Sequence, residues 1–367
     1  MTAVKRILKI LLIIVLVLAF IVGGYIAYML GTYYRIDDHF ATEVQNNQAS
    51  TLELGRDYTA ATYNIGFGAY TPDYSFFMDE GVMNDGTPTT GVHGTAVSRE
   101  SVEACTAGAI QVMLDIAPDF ALFQEVDTDS TRSYQVNQQA AIESAFASYG
   151  STFAVNYHSS FLAYPWPEMH GIVNAGLLTL SSMHVDSAER RSYPVDEAFP
   201  TKFFDLDRCF AVLRLPVENG KELVLINSHM SAFDEGGLIR AQQLEMLNGV
   251  LAEEYAKGNY VVAGGDWNHA LCGSVDLYPS QQQIPAWVSV LEESNLAEGF
   301  HAVRAVNLSS VPTCRGSDIP YEQGVTYTTT VDGFIVSDNV DATAENIDAG
   351  FTYSDHNPVK LTFSLKK

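Results

Sequence analysis

The chain has 367 residues, with 44 acidic and 20 basic residues and a formal net charge of -24. Almost half of the residues are hydrophobic, which is enough for a folded core and excludes an intrinsically disordered chain. The negative charge argues against tight nucleic-acid binding, because a polyanion is repelled unless a cation or a local basic patch intervenes.

The first predicted element is a transmembrane helix that follows the basic residues Lys5, Arg6 and Lys9. Residues 10–30 contain no charged side chain and are long enough to cross about 30 Å of hydrocarbon as a helix. A cleaved signal peptide is the alternative, but its apolar region would be only about 7 to 15 residues long. Basic residues precede the span and aspartates follow it, so residues 1–9 are predicted to be cytoplasmic and the rest extracellular.

The remainder is predicted to form a linker and one catalytic domain. Residues 31–56 are mixed and polar, which is typical of a linker, and the domain would cover residues 57–367. In that domain, β-rich runs alternate with helical patterns, which indicates a single α/β domain, expected to be monomeric. The predicted strands cover residues 59–65, 120–123, 152–157, 176–180, 223–227, 260–263, 334–336 and 359–363.

Two longer helices are predicted inside the domain. One covers residues 100–116 and follows Ser98, a residue type that caps helix N-termini. The other is predicted from an apolar face formed by Leu238, Leu244, Leu247 and Leu251.

The four cysteines have neither metal-site spacing nor the density of a disulfide scaffold. We interpret them as small buried side chains, although one or two disulfides remain open for an extracellular domain. They are Cys105, Cys209, Cys272 and Cys314.

Polar residues recur where the predicted strands begin or end. Strand ends converge in α/β folds, so we expect these side chains to lie together. Each has a simpler explanation by itself, such as a turn-forming Asn or Asp or a core histidine, and only the combination favours a site. The residues are Asn64, Glu125, His229, Asp266, Asn268, Asp332, Asp355 and His356.

The ordered motifs resemble those of the endonuclease/exonuclease/phosphatase family. This family includes DNase I-like nucleases, neutral sphingomyelinases and inositol polyphosphate 5-phosphatases. The resemblance covers about residues 58–363 and implies an α/β four-layer sandwich of two mixed β-sheets flanked by helices. It rests on Thr62-Tyr63-Asn64, Phe123-Gln124-Glu125, Asn227-Ser228-His229, Gly265-Asp266-Trp267-Asn268, Val331-Asp332-Gly333 and Ser354-Asp355-His356.

The resemblance also implies a metal-dependent phosphoric ester hydrolase. Glu125 would be the principal Mg²⁺ ligand, with Asn64 and Asp355 completing the shell directly or through water, and Mn²⁺ could substitute. Zinc is a poorer choice because the candidate ligands are mainly oxygens. His356, oriented by Asp332, would be the general base that activates a water molecule.

The remaining motif residues would act on the water and the phosphate. Asp266 and Asn268 would position the attacking water and hold a phosphate oxygen. His229 would hydrogen-bond the phosphate or protonate the leaving group, and Asn227 would shape its loop.

Substrate class is less strongly indicated. The histidine of the Asn227-Ser228-His229 motif favours the DNase I, sphingomyelinase and 5-phosphatase branches over abasic-site endonucleases. The arginine that 5-phosphatases carry after the Asp332 position is absent here. Arg208 either replaces its phosphate contact or is a solvated charge at a strand end.

An aromatic and proline-rich loop precedes the strand at 176–180. It either packs against its own core or contacts lipid acyl chains, a base or a sugar. We therefore expect an extracellular phosphodiesterase that acts on a lipid headgroup or a small molecule in preference to nucleic acid. A surface nuclease and a catalytically silent surface binding module are the alternatives. The loop residues are Phe161, Tyr164, Pro165, Trp166, Pro167 and Met169.

Overall fold

The helices and strands are given by a computed structural model that describes residues 2–203, 207–232 and 237–367. The helices are α1 (Thr2–Thr32), α2 (Arg99–Ile116), α3 (Gln138–Ala145) and α4 (Leu238–Ala256). The strands are β1 (Phe40–Thr42), β2 (Asp57–Asn64), β3 (Glu80–Val82), β4 (Pro88–Thr90), β5 (Phe120–Asp127), β6 (Gly150–Leu162), β7 (Gly171–Ser181), β8 (Ser187–Ser192), β9 (Cys209–Pro216), β10 (Glu222–His229), β11 (Tyr260–Asp266), β12 (Ala270–Leu271), β13 (Val290–Leu291), β14 (Phe300–Ala302), β15 (Cys314–Arg315), β16 (Thr328–Thr329), β17 (Asp332–Ser337), β18 (Val340–Asn346) and β19 (Val359–Leu365).

Two large mixed sheets carry the architecture. Among the described residues, one sheet has seven strands in the order β1-β8-β9-β10-β11-β17-β14, and the other has six in the order β18-β19-β2-β5-β7-β6. In the first sheet β10 and β11 are parallel, and in the second β2 and β5 are parallel, while their other neighbours are antiparallel. These central strands are buried on both faces, which explains why they appear in the sequence as continuous apolar runs.

The sheets pack face to face, and helices cover both outer faces. Leu122 of β5, Leu225 of β10 and Val262 of β11 belong to the core between the sheets. Leu247 of α4 packs in the core on the outer face of the first sheet. Met113 of α2 packs with α3 on the outer face of the second. The predicted four-layer α/β sandwich is therefore confirmed.

The predicted strands and helices are present, mostly with longer bounds. Helix α2 begins after Ser98, whose Oγ accepts a hydrogen bond from the Ser101 N–H at 3.1 Å, as the capping prediction requires. The predicted apolar face of α4 is wrong at Leu238, which is 70 % exposed, whereas Leu244, Leu247 and Leu251 are buried. Leu238 lies six residues before Leu244 and is therefore about 120° away around the helix, off the buried face.

The predicted linker, residues 31–56, is not a free stalk. Within it, β1 pairs with β8 as the edge strand of the first sheet, and Leu52 forms a bridge to Val217 and is fully buried. The polar side chains that suggested a linker bind the domain's backbone. For example, the Asn47 Nδ2 donates to the Val185 carbonyl at 2.7 Å. Polar composition hid this pairing because the contacts are made by amides and main chain.

Helix α1 is long and apolar enough to cross a membrane, although a signal sequence would satisfy the same criteria. Its side chains are exposed along almost the whole length, with Met29 in its last turns buried against the domain. A helix that is apolar all round and unburied is typical of a membrane span.

Gly265, the residue before Asp266, allows β10 and β11 to approach closely. Its φ is +152°, and a Cβ added there would lie 1.9 Å from the Ser228 carbonyl oxygen. We expect Gly265→Ala to lower the free energy of unfolding by about 3 kcal/mol because the strands must separate or the backbone must rotate.

Denaturant unfolding of the full chain in detergent would test this prediction. Gly249→Ala is the matched control, because a Cβ at Gly249 in α4 meets nothing within 4 Å. That change should be neutral or stabilising by up to about 1 kcal/mol. Equal stability of the two variants would contradict the prediction.

Candidate active site

The ends of the two parallel strand pairs bring the predicted site residues together. Asn64 is the last residue of β2, Glu125 lies near the end of β5, and His229 and Asp266 are the last residues of β10 and β11. His229 pairs with Asp266 in register, and Asp266 pairs with Asp332, the first residue of β17. The convergence predicted from the sequence is therefore present.

Asn64 connects the carboxylates of the two sheets. Its Nδ2 donates to the Asp266 Oδ2 at 2.9 Å and to the Glu125 Oε1 at 3.3 Å. Its Oδ1 accepts the Gly66 N–H at 3.0 Å. In this orientation Asn64 holds the carboxylates through its amide nitrogen, and its predicted role as a metal ligand stays a prediction.

A β-bulge directs the Glu125 side chain into the site. The register between β5 and β7 shifts between Phe123 and Val126, and Glu125 has a φ of +53°. Bulges commonly re-aim a side chain beside an active site. Burial raises the pKa of the Glu125 carboxyl and nearby Asp355 raises it further, while Arg132 and Arg208 oppose the shift.

His356 and Asp332 form a buried pair. The His356 Nδ1 lies 2.8 Å from the Asp332 Oδ2, and its Nε2 lies 3.7 Å from the Asp266 Oδ2. Burial raises the pKa of Asp332 to about 6 although His356 opposes the shift. Burial alone would lower the pKa of His356, but Asp332, Cys314 and the other acidic neighbours hold it well above its usual value.

Asn268 and Asp266 are fixed against each other by a tight turn. Asn268 has a φ of +48°, and its backbone N–H donates to the Asp266 Oδ1 at 2.9 Å. The Asn268 Nδ2 donates to the Met230 carbonyl at 2.9 Å, and Arg240 donates to the Asn268 carbonyl at 2.8 Å. These contacts orient both side chains at the floor of the pocket.

His229 is held in its neutral form. Its Nε2 lies 3.0 Å from the Arg208 Nη1, and its Nδ1 lies 3.3 Å from the Asn156 Nδ2. An arginine can only donate, so the ring nitrogen that faces it must accept. Burial, Arg208 and His356 lower the pKa of His229 well below its usual value. Arg208 thus lies in the site and is not the solvated charge that was the other interpretation.

Asn227 has a different position from the one predicted. It lies inside β10, where its Oδ1 accepts from the Gln124 Nε2 at 2.7 Å and its Nδ2 donates to the Thr179 Oγ1 at 3.1 Å. It therefore links the two sheets beneath the site and does not shape a loop. The motif alone could not show this, because the partners belong to the opposite sheet.

The donor set suits a hard divalent cation. Glu125 and Asp355 line the same pocket with carboxylate oxygens, and Asp266, Asp332 and His356 form a group whose ligand atoms all lie within 4.8 Å of one another. Within the described residues, the buried Asp332 Oδ1 has no hydrogen-bond partner. Burial raises the pKa of the Glu125 and Asp355 carboxyls, and Asp355 raises that of Glu125 further, so a bound cation would be favoured here.

The site opens into a pocket of about 1360 Å³ counting its mouth, and aromatic side chains form much of its wall. Sequence reasoning missed three contributors: Arg132, Arg315 and Asn156. Arg132 is buried, and its Nη2 lies 2.8 Å from the Asp127 Oδ1. Basic residues are scarce in this chain, so each arginine of the domain was a candidate phosphate contact. This was the available sequence signal for Arg132 and Arg315. The aromatic wall is formed by Phe67, Tyr70, Phe76, Phe77, Tyr157, Tyr164 and Trp287.

The aromatic loop before β7 does not pack against the core. Tyr164 is 64 % exposed and Trp166 is 80 % exposed. The interpretation as a core-packed loop is therefore wrong for these two residues, because most of their surface is open to solvent.

The four cysteines are unpaired in the structure, and all except the partly exposed Cys272 are buried. The interpretation as small buried side chains holds for those three. Cys314 lies in the site, with its Sγ 3.9 Å from the His356 Nε2, and burial raises the pKa of its thiol to about 12.

His170 lines the pocket but has a structural role. Its Nδ1 lies 2.6 Å from the Gly94 carbonyl, and its ring packs among Phe67, Phe76 and Phe77. Burial and Arg132 lower the pKa of His170 from 6.5 to about 3. Between these two values only the unfolded chain takes up the proton, so stability falls as the pH drops below about 6.5.

This linkage should cost about 1.4 kcal/mol of unfolding free energy per pH unit. Between pH 7 and pH 5, the free energy of unfolding should change less steeply with pH in His170→Gln than in the wild type. This holds whatever the difference between their absolute stabilities. The same dependence on pH in both proteins would contradict the lowered pKa of His170.

Neither the protein-family models nor the curated proteins gave a match. Among solved structures, an endonuclease/exonuclease/phosphatase from Beutenbergia cavernae is similar, with a TM-score of 0.54, 17 % identity, and coverage of 85 % of this chain and 72 % of that chain. ANGEL2, a 2',3'-cyclic phosphatase in complex with adenosine-2',3'-vanadate, gives a TM-score of 0.52 at 15 % identity, covering 91 % of this chain and 100 % of that one.

A third similar structure is TDP2 from D. rerio complexed with a single-strand DNA product. Its TM-score is 0.50 at 12 % identity, covering 84 % of this chain and 99 % of that one. Together these likenesses show that the chain has the DNase I-like fold of endonuclease/exonuclease/phosphatase proteins, as its motifs implied.

Proposed function

We propose that this chain is a membrane-anchored, extracellular member of the endonuclease/exonuclease/phosphatase family that hydrolyses phosphodiester bonds and depends on Mg²⁺. The observation that carries the proposal is that one pocket is lined by six of the predicted residues, with Asn64 and Asp332 hydrogen-bonded behind them; the six are Glu125, His229, Asp266, Asn268, Asp355 and His356. A fold alone does not give a function, but carboxylate oxygens together with two buried histidines, His229 and His356, suit phosphoester hydrolysis.

Different side chains would perform the separate tasks of an in-line displacement at phosphorus. His356, oriented by Asp332, removes a proton from the attacking water, which Asp266 and Asn268 position. Neutral His229 donates a hydrogen bond to the phosphate through its one ring N–H, and its lowered pKa argues against the predicted alternative, protonation of the leaving oxygen. Each role fits a side chain whose orientation is fixed by the hydrogen bonds described above.

Glu125 and Asp355, with Asn64 beside them, would hold the cation. When bound, it would neutralise the phosphate oxygens and offset the carboxylates that keep the proton on His356. Asp355 is held in place through its backbone, where its carbonyl accepts the Arg315 N–H at 3.0 Å.

Three arginines make the pocket attractive to an anion in an otherwise acidic chain. Arg132, Arg208 and Arg315 all line it. Guanidinium groups bind phosphate oxygens well and remain charged at any physiological pH. They form the local basic patch that a phosphate would need in a chain with a net charge of -24.

Two features support an anchored extracellular domain. Basic residues lie in the first turns of α1, before its uncharged stretch, whereas Asp37 and Asp38 follow the helix, which favours a cytoplasmic N-terminus. The last turns of α1 also pack on the domain, where Met29 joins Leu162 and Phe203 in one apolar cluster. Removing α1 as a signal peptide would expose that cluster.

The test is a substrate panel with the full chain. Soluble chromogenic phosphomonoesters and phosphodiesters, phospholipids, and single- and double-stranded DNA would each be assayed with Mg²⁺, Mn²⁺ or EDTA. We expect diester turnover with either cation and none with EDTA. Turnover that survives chelation would refute metal dependence. Brisk DNA cleavage that falls steeply with salt, without turnover of the other substrates, would establish the surface nuclease instead.

A further inference from the structure

The end of α1 lies alongside the tip of the β6–β7 hairpin. The Tyr25 hydroxyl donates to the Phe161 carbonyl at 3.0 Å and accepts the Ala163 N–H at 3.1 Å. The Tyr28 hydroxyl accepts the Phe161 N–H at 3.1 Å, and the Thr32 and Ser160 hydroxyls are hydrogen-bonded. From Tyr25 to Thr32 the helix rises about 10 Å, so the hairpin tip runs beside the last apolar turns of the helix.

The same tip is part of the pocket wall. Leu162 lines the pocket and also packs with Met29 of α1. Thr201 lines the pocket from the other side, and Phe203, two residues later, belongs to the cluster with Met29 and Leu162. One layer of side chains therefore separates Met29 of α1 from the pocket, and this part of the pocket wall lies beside the last turns of the helix.

Three large rings project at this level without partners that bury them. We call Tyr164, Trp166 and Phe199 the aromatic rim. They are 64 %, 80 % and 59 % exposed. Tyr164 contacts Phe77 of the pocket wall with ring centroids 5.4 Å apart, and Phe199 contacts Phe203 at 5.8 Å. Tyr and Trp rings are enriched where membrane meets water, because they have an apolar body and a polar tip.

We propose that the aromatic rim inserts into the outer interface of the membrane that holds α1, so that the pocket takes its phosphodiester substrate from a lipid headgroup in that bilayer. This inference rests on the proposed function and adds the source of the substrate. Tethering by α1 keeps the rim at the membrane surface, so a few apolar side chains suffice for insertion.

Apolar contact, and not charge, drives this insertion. The chain has a net charge of -24, so the domain gains no attraction from anionic lipid, and Lys202, a cation near the rim, lies 4.7 Å from the Tyr33 ring centroid. We therefore expect insertion of the rim to be the same in zwitterionic and partly anionic bilayers and insensitive to salt.

The experiment uses the full chain in nanodiscs of phosphatidylcholine. The chain has three tryptophans, so Trp166 emission is obtained as the difference between the wild type and Trp166→Phe. Of the other two, Trp267 is buried and Trp287 lines the pocket. We expect lipids brominated near the headgroup to quench Trp166 and iodide in the buffer to quench it weakly. Strong iodide quenching without lipid quenching would overturn the proposal.

The second arm compares two substrates with Mg²⁺. The double change Trp166→Ser with Phe199→Ser should lower turnover of the disc phospholipid by about tenfold, while hydrolysis of a soluble phosphodiester stays within about twofold. Neither residue lines the pocket. Val306→Ser is the control, since Val306 is 72 % exposed and lies outside the pocket.

Lipid turnover unchanged by the double variant would overturn the proposal. Absence of turnover of both substrates by the wild type would instead overturn the proposed function, and the quenching arm would still decide the membrane contact.

Discussion

Replacing Glu125 with glutamine is expected to lower phosphodiester turnover by about 10³-fold or more and to abolish binding of Mg²⁺. The change keeps the size of the side chain and the hydrogen bond with the Asn64 amide, but it removes the negative charge that faces the cation. The loss should appear in kcat together with a direct measurement of Mg²⁺ binding by calorimetry.

Glu103→Gln is the matched control. Glu103 lies on the exposed face of α2, where it pairs with Arg99. Its loss should leave both turnover and Mg²⁺ affinity unchanged. Glu125→Gln that keeps more than a tenth of wild-type turnover would take the metal role away from this residue.

Replacing His356 with glutamine should lower kcat by about 10³-fold with little change in Mg²⁺ affinity. Glutamine can still donate to the Asp332 carboxylate, so the buried acid is not left unpaired and the domain should fold. Steady-state kinetics and a circular dichroism melt would be measured on the same preparation.

His301→Gln provides the comparison, since His301 is partly exposed and its Nδ1 lies 3.6 Å from the Asp338 Oδ1, outside the pocket. If His356→Gln is folded and as active as this control, proton transfer must be assigned elsewhere. Asp266 would then be the next candidate, because its Oδ2 lies 3.7 Å from the His356 Nε2.

The strands that carry the site could be predicted because they are buried on both faces. Residues 223–226 and 260–263 appear as unbroken apolar runs, and the polar residues of the site follow within three positions. His229 and Asp266 became neighbours once these strands were paired in parallel. Sequence order and strand ends were therefore enough for most of the site.

Contacts between distant segments could not be predicted in the same way. Asn227 looks like part of a local motif, yet its partners Gln124 and Thr179 are on the opposite sheet. Arg132 and Arg315 come from segments without apolar periodicity, so nothing local indicated that the fold would turn them into the pocket.

The segment after α1 shows the same limit. Residues 33–56 have the composition of a linker, but Arg35 reaches the buried Asp207 at 3.2 Å and Leu52 is fully buried. Main-chain pairing leaves no mark in composition, so a docked segment and a free one look alike in sequence. This docking fixes the domain against the end of α1.

The most direct test of the account is diffraction from crystals of the full chain grown with Mn²⁺. We predict an anomalous peak about 2 Å from carboxylate oxygens of Glu125 and Asp355, at the floor of the pocket. A peak elsewhere, or none at Mn²⁺ concentrations that support turnover, would contradict the metal centre.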